Sequence, residues 1–470
     1  MTAPDGNARD RSGMKRRTPA LKVAIRRTVI SPALPVCATV LCVALLATAL
    51  TPSTSQAAEI TQVADAFEDG NPWDGIFGLR FVHTQRRALI LREWICQAND
   101  GLGGSGNNPL CPTGNAVVDT RQLAFSETMN VLNIDGRIGL WHDFEFYFTL
   151  PIVVGWKSEL TYDEGVSAGN SLVDSPLTSS LFGVPNSSGN RVGFGDMILG
   201  LKIAPLHGDR DAAYPSWVLG VEYMAPTGSA RTAGETSVGS AVHALTLSTA
   251  ISRKLGRFDP YLKLHGVLRF ADPKGPFKNE RVTQTLVAPG HSIGVLIGTE
   301  IYPWHEPSKD GSYVSIDLRA SADFTFEGRE FTELFDALGT SDCDPATQCN
   351  RTTLTRGELD RDTGRARKTN GVTDVEQYGR FGAGVGMTYQ PMHYIKVKLA
   401  FDYWHTTSHY LTFAAAGKDL DGENGVEQNN SDGLNEYNPF YNESVDGPGA
   451  RFRVDDKNTY QLMISIEGQI

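Results

Sequence analysis

Residues 460–470 read Tyr-Gln-Leu-Met-Ile-Ser-Ile-Glu-Gly-Gln-Ile. Tyr460, Leu462, Ile464, Ile466 and Ile470 share one parity, and Gln461, Ser465, Glu467 and Gln469 share the other, with Met463 alone out of phase. Successive side chains point to opposite faces of a β-strand, so this segment has one greasy face and one polar face. A single strand of this kind would suit a soluble sheet equally well. Recurrence decides the matter. The same alternation runs through 74–91, 122–140, 144–156, 192–205, 217–226, 243–254, 260–270, 292–303, 313–326, 378–390 and 394–406.

The links between these stretches alternate in length. Trp141-His142-Asp143, Leu255-Gly256-Arg257 and Pro391-Met392-His393 are tight, and 208–213 and 305–311 are only slightly longer. Between them lie 92–121, 157–191, 227–242, 271–291, 327–377 and 407–459, rich in Gly, Asn, Asp, Ser and Pro. Outer-membrane barrels place short turns in the periplasm and long loops outside, and about 9–11 residues carry a strand across the bilayer. The reading is all-β: a transmembrane antiparallel up-and-down β-barrel of about twelve strands. It has long extracellular loops and short periplasmic turns, and its place is the outer membrane of a Gram-negative bacterium.

The first 57 residues read as an export signal. Lys15, Arg16, Arg17, Lys22, Arg26 and Arg27 precede an apolar stretch from Val36 to Leu50, and Ser55-Gln56-Ala57 is small at both key positions. Cleavage is expected near Ala57 or Ala58. Residues 58–72 then form a short periplasmic segment, too short for a plug, and 73–470 the barrel. Only 40% of the chain is apolar, as suits a barrel in which every second strand residue meets lipid. The formal net charge is −11, although residues 1–58 hold eight Lys or Arg against two Asp. So acidic a mature chain is a poor nucleic-acid partner. The expected partners are outer-membrane lipid and lipopolysaccharide, the outer-membrane assembly machinery and a small-molecule solute.

Charge on the lipid face at mid-depth costs roughly 2–4 kcal/mol for Arg or Lys, so charged strand residues must point inward. The pore-lining candidates are Arg80, Asp135, Arg137, Glu145, Asp196, Lys202, Glu222, Lys263, Glu300, Asp317, Arg319, Arg380, Lys398 and Asp402, joined by Lys396 and Glu467. Their signs balance. They read either as a salt-bridged network bracing the wall or as a selectivity lining. Aromatic residues near strand ends suggest two interfacial girdles: Trp141, Tyr302, Trp304, Tyr313, Tyr389 and Tyr394 inside, and Trp94, Trp156, Phe270, Phe326, Tyr378, Tyr403 and Trp404 outside.

Cys96 and Cys111 share one outer loop, and Cys343 and Cys349 another. Four cysteines allow three connectivities, and local disulfides suit an oxidising compartment. Asp419, Asp421 and Glu423 partly imitate a calcium loop but lack its full ligand set, so the cofactor reading is none, with calcium in this loop as the alternative. Gly193, Gly195 and Gly200, like Gly382, Gly384 and Gly386, mimic nucleotide loops, yet no helix follows either set. These glycines are expected to relieve curvature or leave room in the lumen. His405, Ser408 and His409 form the best hydrolase-like cluster, but positions three apart on a strand face opposite sides. The chain is not read as an enzyme.

Two segments, Val192–Pro205 (VGFGDMILGLKIAP) and Thr149–Gly155 (TLPIVVG), are similar to outer-membrane channels ascribed to transport in the phenol meta-degradation pathway. That family resembles the long-chain fatty-acid and aromatic-hydrocarbon channels in general character. The resemblance covers most of Trp73–Ile470 in rhythm and only these two pieces in detail. In the first piece Met197, Leu199, Leu201 and Ile203 form a lipid face. In the second, Pro151 cannot donate to the ladder, so a bulge or kink is expected there. The final Ile470 departs from the aromatic ending usual for such barrels. The resemblance implies passive or gated uptake of small hydrophobic or aromatic compounds. The alternatives are a structural or surface-interaction barrel with a closed lumen, or an outer-membrane hydrolase.

Overall fold

The computed structural model of the protein describes residues 58–64, 74–96, 116–173, 181–208, 214–277, 282–305, 312–341, 355–359, 366–392, 394–422, 425–426 and 436–469. The expected leader 1–57, Cys111, Cys343, Cys349 and Glu423 lie outside these residues, as does the side chain of Cys96.

Twelve spanning strands are present: β1 Gly75–Cys96, β2 Ala116–Trp141, β3 Phe144–Tyr162, β4 Met197–Leu206, β5 Ser216–Ala225 and β6 Val242–Ser252, then β7 Phe258–Ala271, β8 Ser292–His305, β9 Tyr313–Thr325, β10 Tyr378–Met392, β11 Ile395–Thr406 and β12 Phe452–Gln469. Each pairs antiparallel with the next, and β1 pairs with β12 from Ile76 opposite Gln469 to Arg92 opposite Phe452, which closes the barrel. All twelve expected strands are therefore found. The alternation works as read: on β12, Ile466 is 57% exposed and its neighbour Ser465 only 3%. Phe77, Leu201, Val221, Leu264, Ile297, Val385 and Leu399 continue the apolar exterior around the wall. A closed sheet with this exterior pairs its strands all the way round, as lipid demands. It is an outer-membrane β-barrel of the Gram-negative kind.

The fourth expected strand is broken. Arg191–Phe194 pairs only with the outer half of β3, and β4 begins after Gly195-Asp196. Pro151 is the cause, because it offers no N–H to the ladder. Its carbonyl instead accepts the Gly195 N–H at 2.8 Å. The irregularity expected at Pro151 falls on the segment opposite it: Ile152 pairs with Phe194 and Thr149 with Ile198, so one extra residue is accommodated there.

Strand heights differ. β1 and β2 run 22 and 26 residues, whereas β4 and β5 have 10 each. The tall strands carry Ala88, Ile90, Leu123, Phe125, Phe452 and Val454 inward, at a height where a water-filled barrel would be polar. These side chains pack against Val173, Leu181, Phe182, Leu334, Leu338, Leu411 and Val445 from the outer links. The links thus fold inward as a cap with its own apolar core. It contains two short helices, Phe335–Gly339 and Glu443–Asp446, and a strand pair, Gly328–Glu330 with Thr373–Val375.

The girdle reading needs correction. Trp141, Trp304, Tyr389, Tyr394, Phe270 and Phe326 are exposed on the outside. Tyr302 and Tyr313 are buried against each other with ring centroids 5.8 Å apart, and Trp404 lines the lumen. Trp156 meets arginines beneath the cap. Bulky rings are used to fill the barrel ends as well as to anchor the wall.

Leu264 sits mid-strand on the lipid face and is exposed there. Leu264→Arg is expected to lower unfolding stability in lipid vesicles by about 2–4 kcal/mol, read from denaturant titration. A change of under about 0.5 kcal/mol would remove this residue from the lipid face.

Candidate functional site

The lumen holds two confluent cavities of about 430 and 570 Å³ that share Ile60, Tyr147, Lys202, Glu222, Lys263, Leu296, Arg319 and Met463 in their walls. Arg80, Asp135, Arg137, Glu300, Asp317, Arg380, Lys398 and Asp402 also face this chamber. Glu145 and Asp196 do not. Glu145 is fully buried, accepts the Ala64 N–H at 2.7 Å and lies 3.2 Å from Lys202. Asp196 sits where the wall breaks and accepts N–H groups from Gly228 at 3.0 Å and Ser240 at 2.7 Å. It braces the loop after β5, a role that strand parity could not reveal.

The charges of the chamber largely answer one another. Arg80 binds Asp135 at 2.9 Å, and Arg137 binds Glu467 at 2.8 Å. Arg319 bridges Asp317 at 2.6 Å and Asp402 at 2.7 Å. Arg380 reaches Asp323 at 3.1 Å. Two tyrosines join the network because glycines make room for them. The Tyr147 ring lies where a side chain on Gly200 would stand, and donates to Glu222 at 2.9 Å. Tyr261 lies likewise over Gly298 and donates to Asp317 at 2.7 Å. Gly382 and Gly384 leave space for Trp404, Asp402 and Arg319. Gly200, Gly382 and Gly384 therefore serve side-chain packing on the lumen face.

The floor of the chamber is built from residues 58–64. Ala58, Thr61, Val63 and Ala64 are buried. Val63 packs against Ala204 and Val218 on the inner ends of β4 and β5. The Thr61 hydroxyl meets that of Ser252 at 2.7 Å, the Glu59 carboxylate binds Lys398, and Lys396 donates to Gln62 at 3.4 Å. Among the described residues, these seven lie across the lumen.

The roof is an arginine–aromatic cluster. Arg191 is buried and binds Asp336 of the Phe335–Gly339 helix at 2.5 Å, along with the carbonyls of Thr232 and Ser237. The Arg231 guanidinium lies 3.9 Å from the Phe331 ring centroid and 4.6 Å from that of Trp156. Burial pushes its pKa down to about 10, so it remains charged at neutral pH. Lys457 binds Glu333 at 2.6 Å. Burial opposes the Glu333 charge, but Lys457 and Arg86 outweigh it and hold its carboxyl down at about 2.

The other candidates stay apart. Asp419 and Asp421 converge with buried Glu436, a residue the sequence reading did not include. Glu436 accepts the Leu420 N–H and Asp419 the Gly422 N–H, each at 2.5 Å, so the cluster organises its own loop. His405 contacts Asn458, Ser408 donates to the Val454 carbonyl, and His409 is buried against Tyr378. Burial pushes His409 down to about 4. No Ser–His pair forms among these three, so they offer no activated nucleophile.

The floor and the roof escaped the sequence reading. One signal was available for the roof: Ala88-Leu89-Ile90-Leu91 is apolar at both parities. A strand that is greasy on both faces is packed on both.

No protein-family model matches the chain, and no curated protein matches it. Among solved structures it is similar to an outer membrane channel from Pseudomonas putida F1 at 10% identity, over 90% of this chain and 100% of that one, with a TM-score of 0.35. It is also similar to a FadL homologue from Pseudomonas aeruginosa at 8% identity, over 84% and 90% of the two chains, with a TM-score of 0.26. The outer membrane protease OmpT from Escherichia coli aligns at 7% identity over 85% and 96%, with a TM-score of 0.25.

Asp446, in the cap, makes a test of this roof. Its buried carboxyl accepts N–H groups from Asn442 and Ala414, and burial pushes its pKa up to about 7, with Asp374 adding to the shift. An acid that is raised on folding favours the folded state fully below its ordinary value of 3.8 and loses that advantage progressively up to about 7. Proteolysis of the outer loops in the folded barrel is expected to speed up severalfold between pH 4 and pH 8. Asp446→Asn should abolish that dependence.

Proposed function

We propose that the protein is a gated outer-membrane channel through which small hydrophobic or aromatic solutes pass by facilitated diffusion. The observation that supports this reading is the lumenal chamber, with residues 58–64 across its lower end and the inward-folded loops toward its upper end. Both closures are non-covalent among the described residues and can move without breaking the wall. Leu296, Met463, Ile60, Tyr147, Tyr261 and Trp404 give the chamber apolar and aromatic surface between its ion pairs. Such a lining offers a solute weak sites that it can leave, which conduction requires. The hydrophobic or aromatic class comes from the resemblance of Val192–Pro205 and Thr149–Gly155 to phenol-pathway channels. The scattered placement of His405, Ser408 and His409 favours transport over hydrolysis.

The sealed ends also favour a second reading, a closed barrel that acts through its loops. Single-channel recording of the refolded chain 58–470 separates the two. The intact chain is expected to be mostly closed. Removing residues 58–64 should give steady open steps at least about fivefold more often, since the floor contacts are what hold the closed state. Silence from a deletion variant shown to be folded would sink the channel reading.

A further inference from the structure

The floor contains one acid whose charge is unanswered. Glu59, Glu145, Asp135 and Glu467 each have a Lys or Arg beside them. Glu300, on β8, has none among the described residues. It is only 6% exposed. Its Oε1 accepts the Glu59 backbone N–H at 2.7 Å, and its Oε2 accepts the Tyr302 hydroxyl at 2.7 Å. A buried carboxylate with two neutral donors and no cation is costly.

The missing charge lies in the chain's own processing. The expected leader cleavage hydrolyses the amide between Ala57 and Ala58. Water supplies the hydroxyl to the Ala57 carbonyl carbon, the C–N bond breaks, and the Ala58 nitrogen leaves as an amine. A free α-amine has a pKa of about 7.7–8.0 and is mostly protonated at neutral pH. Ala58 is fully buried, and its carbonyl is fixed by the Thr61 N–H at 2.8 Å and the Thr61 hydroxyl at 3.0 Å. Consecutive backbone nitrogens are roughly 3–4 Å apart. The new ammonium therefore falls within roughly 7 Å of the Glu300 carboxylate. Cleavage one residue later would place it on the Glu59 nitrogen itself, which already touches Glu300.

We propose that leader removal creates the counter-ion of Glu300, so that the processed N-terminus docks as an ammonium on this carboxylate and locks residues 58–64 into the floor. Before cleavage the same nitrogen is a neutral amide with more chain attached, and the lock is incomplete. The inference rests on the export-signal reading and on the floor geometry, not on what the chamber conducts.

The test uses protein exported to the outer membrane of a Gram-negative host and extracted folded in detergent. A water-soluble acetylating ester at pH 8 labels the α-amine, and mass spectrometry of the N-terminal peptide reads both its first residue and its extent of labelling. The peptide should begin at Ala58 or Glu59, and labelling should be at least about tenfold slower in the folded protein than in the urea-unfolded chain. Glu300→Gln should bring the folded rate within about twofold of the unfolded rate. A variant with Gly-Ser inserted after the cleavage point keeps every barrel residue and should lose the protection too, which serves if Glu300→Gln fails to fold. An N-terminus elsewhere overturns the proposal. So does fast labelling of the folded wild type, or equal protection in a folded variant. None of these outcomes depends on conductance, so a silent channel and a failed lock are told apart.

Discussion

A backbone N–H or C=O left unpaired in hydrocarbon costs several kcal/mol, and the rest of this structure follows from avoiding that. The sheet of twelve strands has no free edge in the bilayer because β1 meets β12 along most of its length. Closure then forces every polar strand side chain onto one face, inside a space a few side chains wide. The acids and bases have little choice but to meet. Arg137 on β2 reaches across β1 to Glu467 on β12, and Glu467 reaches on to Lys398 of β11 at 2.5 Å. One chain of charges thus braces the seam where the first and last strands join. That geometry favours the bracing role for these residues, while Lys263 and Glu222 face the open chamber.

The wall was legible because its signal is local. A period of two survives in each strand whatever the strand packs against, and Pro151 announces the break in the segment beside it. The fold class, the twelve strands and their turns came from this period alone. The inward or outward sense of a charge also followed, since Asp135, Lys202, Asp317 and Arg319 all face the chamber. What parity cannot show is height. Asp196 has the right parity, yet it lies at the broken end of a strand and serves a loop. Trp156 and Trp404 lie at the right height for an interface but face the lumen.

The closures were not legible for a different reason. Glu59-Ile60-Thr61-Gln62-Val63-Ala64 has no periodicity to read, and its burial depends on Glu145, Ser252, Glu300 and Lys398, which lie 81 to 339 residues away. Only closing the barrel brings these partners to one level. The roof is similar: Asp336 belongs to a five-residue helix that is too short to stand in water by itself. It exists because Arg191, Ser158 and Gly234 hold it by its carboxylate.

The two ends are shut by different forces, and that difference bears on how the chamber could open. The floor is held chiefly by charges and hydrogen bonds around a small apolar contact of Val63 with Ala204 and Val218. Ion pairs lose strength as water and salt reach them. The roof adds to its ion pairs, Arg191 with Asp336 and Lys457 with Glu333, a large apolar core and arginines stacked on aromatic rings, and this apolar part is indifferent to ionic strength. The contacts of Leu334 and Phe335 with their apolar neighbours can be exchanged only for other apolar contacts without exposing those neighbours to water. At the floor, release of Glu59 would still leave Lys398 paired with Glu467 and Glu300 with the Tyr302 hydroxyl. The two closures therefore differ in what loosens them: salt and water at the floor, apolar contact at the roof.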